Sequence, residues 1–227
     1  MTTEERNRDE LLKFFLEGET ENVMEKLQNF ERLMMRYRSA IREVTTKLEV
    51  LNDELSLIGN RNPIETIQSR VKRPVSISGK LKKLGKPLTA ESIEENLNDV
   101  AGIRVICSFI DDIYRVADML TCQDDIKVIE IKDYIKNPKS NGYRSYHIIL
   151  EIPVFFSDCK KPMRVEVQIR TVAMDFWASL EHQIKYKKDI PEQELEYLAA
   201  ELKDCAETIA QTDRRMQDIK KRIHREE

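Results

Sequence analysis

The strongest constraint on the fold lies between Val23 and Leu55. Apolar residues recur there at steps of four and three: Val23, Leu27, Phe30, Met34, Tyr37, Ile41, Val44, Leu48, Leu51 and Leu55. That period places them on one face of a single long helix. Such a heptad seam serves equally to pack a helix on its own domain or to join subunits. A second seam follows Pro191, through Leu195, Leu198, Leu202, Cys205, Ile209, Thr212, Met216, Ile219 and Ile223. Two seams at opposite ends of one chain are expected to pair with each other or across subunits. Ahead of the first, Leu11, Leu12, Phe14, Phe15 and Leu16 predict a short helix ended by Gly18.

Between the seams the pattern is mixed. Asn62-Pro63 is expected to start a helix carrying Ile64, Ile67 and Val71, which Arg73-Pro74 then bends or breaks. Thr89 to Leu97 predicts a short helix with Thr89 as its N-cap. Val105 to Phe109 predicts a buried strand, Asp111 to Leu120 a helix, and Ile126 to Ile131 a half-buried strand. Asn137-Pro138 and Asn141-Gly142 form turns before a strand from Tyr143 to Ile152, closed by Pro153. Phe156 to Pro162 is expected to turn, Arg164 to Thr171 to alternate as a strand, and Thr171 to Lys187 to be helical. The fold class is α+β. A mixed sheet of four or five strands is flanked by helices, with long helices at both ends. The expected division is an N-terminal helical extension over 1–60, a core over 61–188 and a C-terminal helix over 189–227.

Charge distribution says more than total charge. The net charge is −3, from 38 basic and 41 acidic residues, which does not suit a duplex-binding protein. Yet Arg70 to Lys86 holds seven basic residues and no acidic one. A local basic patch in a mildly acidic chain fits a small polyanion. A second basic segment carries Lys132, Lys136 and Lys139 into a strand that opens with Tyr143, Arg144 and His147. Cations take phosphate oxygens, and a ring stacked on a base contributes roughly 1–3 kcal/mol. Arg164, Glu166, Gln168 and Arg170 share one strand face, which suits either a lined cleft or an exposed edge. Asp99, where a loop enters a strand, is an oxygen ligand of the kind hard cations take. Cys107, Cys122, Cys159 and Cys205 lack metal-ligand spacing and are expected to be reduced thiols. There is no apolar run of eighteen residues, and the charged N-terminus has no signal-peptide core. The expectation is a cytoplasmic protein that binds neither membrane nor DNA.

Five motifs follow one another along the chain. They are Arg-Val-Lys at 70–72, Asp-Val-Ala-Gly-Ile-Arg at 99–104, Lys-Asp-Tyr-Ile…Asn-Gly-Tyr-Arg-Ser-Tyr-His within 132–147, Glu-Val-Gln-Ile-Arg-Thr at 166–171, and Glu181-His182…Tyr186-Lys187. Together they strongly resemble the Rel/Spo family of (p)ppGpp synthetases. The chain length and flanking helices are similar to its small, single-domain members, on the RelP-like rather than the RelQ-like branch.

The resemblance implies a nucleotidyltransferase-like synthetase fold and a homotetramer. It also implies transfer of the β,γ-pyrophosphate of ATP to the 3′-hydroxyl of GDP or GTP. It assigns Arg70, Lys72, Ser76, Lys80, Lys83 and Arg104 to ATP, and Asp99 and Glu166 to Mg²⁺ and catalysis. Tyr143 and His147 go to the guanosine nucleotide, with Lys132, Lys136, Lys139, Arg144, Gln168 and Arg170 as further candidates. His182 and Lys187 are expected to support the site. Gly79 stands where the family commonly has glutamate, and Lys83 where it has arginine. The hydrolase of the larger relatives is not expected: there is no His-Asp dipeptide, and the histidines are His147, His182 and His224. Two other functions compete, a non-catalytic RNA-binding or coiled-coil scaffold and a nucleotidyltransferase with another acceptor. RNA binding is not expected, since a local basic patch in a mildly acidic chain fits a small polyanion better than a duplex track.

Overall fold

The computed structural model describes residues 23–59, 61–185 and 192–223. The cluster at 11–16, Tyr186, Lys187 and His224 lie outside the described residues. In chain order the elements are α1 (Val23–Gly59), β1 (Ile64–Val71), α2 (Pro74–Lys83), α3 (Ala90–Asn96), β2 (Ala101–Cys107) and α4 (Ile110–Thr121). Then follow β3 (Lys127–Asp133), β4 (Tyr146–Phe155), β5 (Lys160–Thr171), α5 (Val172–Lys185) and α6 (Glu192–Ile223).

The strands form one mixed sheet in the order β1-β2-β5-β4-β3. Only β2 and β5 are parallel; the other pairs are antiparallel. α1 lies across one face of this sheet. Its seam from Phe30 to Leu55 is buried there with Ile103, Val105, Ile148, Val165, Val167 and Ile169. The heptad pattern of α1 is therefore spent within its own domain. α6 packs instead against α5 and α4.

Thr89 caps α3 as expected, its hydroxyl accepting from Ser92 N at 3.1 Å. Such a cap contributes about 1 kcal/mol.

Several boundaries differ from the sequence expectation, for identifiable reasons. Residues 64–71 form a strand, not a helix. A register shift between Ile64 and Thr66 inserts an extra residue, so Ile64 and Ile67 act three apart on one face. With Val71 four further on, the bulged strand imitates helical spacing. Pro74 consequently breaks no helix; it opens α2 at the first turn, where its missing N–H costs nothing.

Pro153 does not close β4. It pairs with Pro162 of β5, beyond the last residues paired to β3 and to β2. Neither proline forgoes a ladder bond to a neighbouring strand. The turn before β5 therefore shrinks to Phe156–Cys159, closed by Phe156 N on Cys159 O at 2.8 Å. β3 is an exposed edge strand rather than a half-buried one. β4 begins at Tyr146, which leaves Tyr143 on the preceding loop. Among the described residues no helix is long and apolar enough to cross a membrane.

Candidate active site

The face of the sheet opposite α1 is polar, and strand register builds it in two rows. One row runs Gln68, Arg104, Gln168, His147 and Lys132 across all five strands. The next runs Arg70, Gly102, Glu166, Ile149 and Glu130. Residues directly opposite in register project to the same side. Five separate strands thus deliver one continuous set of charged and amide groups. Gly102, lacking a side chain, leaves the floor open between Arg70 and Glu166.

Two clefts adjoin on this surface. The first, about 280 Å³, is lined by Gln68, Ser69, Arg70, Arg104 and neighbours; the second, about 480 Å³, by Lys132, Tyr134, Lys139, Tyr143, His147 and others. Both are bordered by Arg70, Asp99, Glu166 and Gln168. These four groups form the shared wall.

Asp99 sits between two ammonium groups, Lys72 Nζ at 2.6 Å and Lys80 Nζ at 2.8 Å from Oδ2. Burial pushes its carboxyl up, but the hydrogen bonds from Lys72 and Lys80 outweigh this and hold it below the usual carboxylate range. Its other oxygen, Oδ1, is buried without a hydrogen-bond partner. A buried, unpaired carboxylate oxygen is costly unless a ligand completes it.

Glu166 is held from both sides. Gln168 Nε2 donates to Oε2 at 2.9 Å, and His147 Nδ1 stands 3.3 Å from Oε1. Burial again raises the carboxyl, while the His147 and Gln168 contacts bring it below the usual value. The carboxylate is therefore ionised at neutral pH.

Behind it runs a polar chain. Arg170 Nη2 donates to Tyr143 Oη at 2.6 Å and to Gln168 Oε1 at 2.9 Å. Tyr143 Oη lies 2.8 Å from His147 Nε2. With Arg170 donating to it, the tyrosine hydroxyl is free to donate to Nε2, which leaves the Nδ1 proton facing Glu166. Arg170 also pairs with Asp175 at 3.1 Å, and Arg104 lies 3.4 Å from the same oxygen. Arg104 Nε is buried without a partner. Burial and the neighbouring Arg170 lower its affinity for a proton, against the smaller opposing effect of Asp175.

Tyr134, Tyr143 and His147 pack edge to face, with centroids 5.2–5.9 Å apart. The Lys139 ammonium stands 4.6 Å from the Tyr134 centroid and 4.8 Å from that of Tyr143.

The expected site residues divide accordingly. Arg70, Asp99, Arg104, Lys132, Lys139, Tyr143, His147, Glu166 and Gln168 line the clefts. Lys72 and Lys80 reach the wall through Asp99, and Arg170 lies buried behind Tyr143. Others are not brought in. Ser76 and Lys83 are exposed on α2, and His182 is exposed on α5. Lys136 turns to Asp133 and the Tyr114 ring. Arg144 turns to Glu207 of α6. Sequence reading missed Tyr134 and Glu181 as lining residues, and Asp175 as the anchor of two arginines. An aromatic inside Lys-Asp-Tyr-Ile was a usable signal for Tyr134; Asp175 carried none.

Comparison with known proteins decides the family. Residues 69–191 match the model described as a region found in RelA / SpoT proteins. The chain belongs to the RelA/SpoT family. It is 43% identical over 199 residues to the GTP pyrophosphokinase YwaC of Bacillus subtilis, covering 87% of this chain and 93% of that protein. It is 35% identical to the GTP pyrophosphokinase YjbM of the same organism, over 85% and 89% of the two chains. Among solved structures, small alarmone synthetase 2 of Bacillus subtilis aligns at a TM-score of 0.75 with 42% identity, over 86% of this chain and 99% of that one. Small alarmone synthetase 1, bound to its product pppGpp, aligns at 0.77 with 36% identity, over 86% and 97%. The RelA/SpoT match covers every residue lining the two clefts but Gln68, and every strand that builds them except the first five residues of β1. The sheet with its flanking helices is that of the small alarmone synthetases.

Proposed function

We propose that this chain is a GTP pyrophosphokinase. It moves the β,γ-pyrophosphate of ATP onto the ribose 3′-hydroxyl of GDP or GTP, giving ppGpp or pppGpp and AMP. The shared wall of the two clefts is the observation that carries this reading. Donor and acceptor must meet at one point, and Asp99 and Glu166 stand where the clefts adjoin.

ATP takes the cleft of Arg70 and Arg104. Their guanidinium planes suit an adenine face, and Lys72 and Lys80 are positioned to exchange Asp99 for phosphate oxygens. The guanosine nucleotide takes the second cleft, with Tyr143 on the base and Lys132 and Lys139 toward its phosphates. Ser76, Lys83, Lys136 and Arg144 have no place in this arrangement, and His182 has none.

Asp99 and Glu166 also suit Mg²⁺. Among the described residues no group of three or more candidate ligands occurs. A two-carboxylate set leaves coordination positions for phosphate oxygens and water, as Mg²⁺ prefers. Bound there, Mg²⁺ would neutralise charge on the phosphates. Glu166, ionised and fixed by His147 and Gln168, orients the attacking hydroxyl and takes its proton. The remaining work is positioning, which is most of what phosphoryl-type transfer requires. The reading is synthesis without hydrolysis, in a cytoplasmic homo-oligomer. The exposed Met216, Ile219 and Ile223 on α6 support the oligomer.

The test uses ATP labelled at the γ-phosphate, with Mg²⁺ and either GDP, GTP or GMP. Label on GDP or GTP with release of AMP supports the proposal. No transfer by folded protein that binds ATP overturns it.

A further inference from the structure

The loop from Tyr134 to Ser145 carries Tyr143 and Lys139 into the acceptor cleft, and its outer side rests on α6. Gly142 makes the closest approach. Its φ is +89°, and a Cβ placed there would fall 2.6 Å from the Ala206 Cβ and 3.6 Å from the Lys203 backbone. Only glycine combines that backbone angle with that proximity. Two residues on, the Arg144 side chain is 12% exposed and makes three hydrogen bonds. Nη1 donates to Gly142 O at 3.0 Å and Ala206 O at 3.3 Å, and Nη2 donates to Glu207 Oε2 at 2.8 Å. Glu207 is braced in turn by Arg214 at 3.1 Å. Ala206 and Ala210 are both buried, as a close backbone approach requires.

Tyr143 lies between these two contacts. Residues 142 and 144 are locked to α6, while its hydroxyl is locked to Arg170 and His147. The same helix is fixed to the core elsewhere: Trp177 Nε1 donates to Leu202 O at 2.8 Å, and Thr171 Oγ1 donates to Asp213 Oδ2 at 2.5 Å.

We propose that α6 is the back-plate of the acceptor site, with Ala206, Glu207 and Arg144 as positioning residues that hold Tyr143 over the cleft. Arg144 then serves as a clamp, not a phosphate ligand. The proposal rests on the reading of the second cleft as the guanosine-nucleotide site. It adds that acceptor affinity is set partly by a helix that touches neither nucleotide.

The experiment compares Ala206→Leu, Ala206→Gly and wild type in the full chain. A leucine must push the Gly142 backbone away; a glycine leaves the approach intact. For Ala206→Leu, KM for GDP and GTP should rise about tenfold, with KM for ATP unchanged. Ala206→Gly should lower the melting temperature, as glycine does inside a helix, without raising the acceptor KM. Amide exchange of residues 139–145 without nucleotide should quicken in Ala206→Leu alone. A folded Ala206→Leu with wild-type acceptor KM and wild-type loop exchange overturns the proposal. If Ala206→Leu does not fold, Glu207→Gln decides: quicker loop exchange supports the clamp, and unchanged exchange overturns it. Should wild type transfer nothing to guanosine nucleotides, the functional reading fails by itself, while loop exchange still decides whether α6 holds the loop.

Discussion

The first and last long helices, α1 and α6, carry the same kind of apolar repeat and put it to opposite uses. α1 buries its seam against an apolar sheet face, and Leu33, Val44 and Leu48 are essentially inaccessible. α6 buries a different line: Ala206, Ala210, Asp213 and Gln217 face inward, while Met216, Ile219 and Ile223 are each about half exposed. The surfaces beneath them explain the contrast. α1 lies on strands of Val and Ile. α6 lies on α5, the loop from Tyr134 to Ser145, the end of β5 and the first turn of α4, where Met174 and Trp177 sit among backbone groups and charges. Asp111 and Asp112 there meet Lys220 at 2.6 and 3.2 Å, and Arg61 reaches Asp112 at 2.5 Å. A heptad repeat specifies a helix; it does not specify which face the domain covers.

Four substitutions break or sharpen this contrast. Leu48→Ala, in the α1 seam, should cost about 2–5 kcal/mol in denaturant unfolding, because it opens a cavity under the sheet. A loss below about 1 kcal/mol would mean that α1 is not part of the core. Asp112→Ala, which leaves Arg61 without its carboxylate and Lys220 with Asp111 alone, should cost about 1.5–3 kcal/mol.

Asp213→Asn should act in the opposite direction and more weakly. Burial raises the Asp213 carboxyl above its ordinary value, against the smaller opposing effect of the Thr171 hydrogen bond. A raised native pKa gives stability that is complete below the unfolded value, about 3.9, and is lost as pH rises through the native value. Asparagine removes that decline, so Tm should exceed wild type by about 2 °C at pH 7 and match it at low pH. Ile219→Ser, on the outward seam, should change protomer stability by less than about 0.5 kcal/mol. If the proposed homo-oligomer forms through this face, the variant should show a lower mass in sedimentation than wild type.

Much of this molecule was legible in the sequence, and the failures share a cause. α1, α3, α4 and the alternation of β5 followed from periodicity and capping. Strand alternation put Arg164, Glu166, Gln168 and Arg170 on one face of β5, and the family resemblance, not the alternation, singled out Glu166. β1 was misread because its bulge turns a period of two into a local three. The contacts of Arg144 with Ala206 O and Glu207 were not legible, because sequence cannot tell a cation facing phosphate from one facing a helix carbonyl. The polar face of α6 was invisible for a similar reason: Asp213 and Gln217 look like solvent residues until Thr171 and Asp111 are placed beside them. Local pattern fixes elements; pairings distant in sequence fix what each polar group meets.

The central claim is that chemistry occurs at the wall shared by the two clefts. Glu166→Gln tests it most directly, since the amide keeps the shape but gives up the charge and the proton acceptor. Pyrophosphate transfer from ATP to GDP should fall about 10²–10⁴-fold. Binding of each nucleotide and the melting transition should stay near wild type. Near-wild-type turnover in this variant would contradict the account.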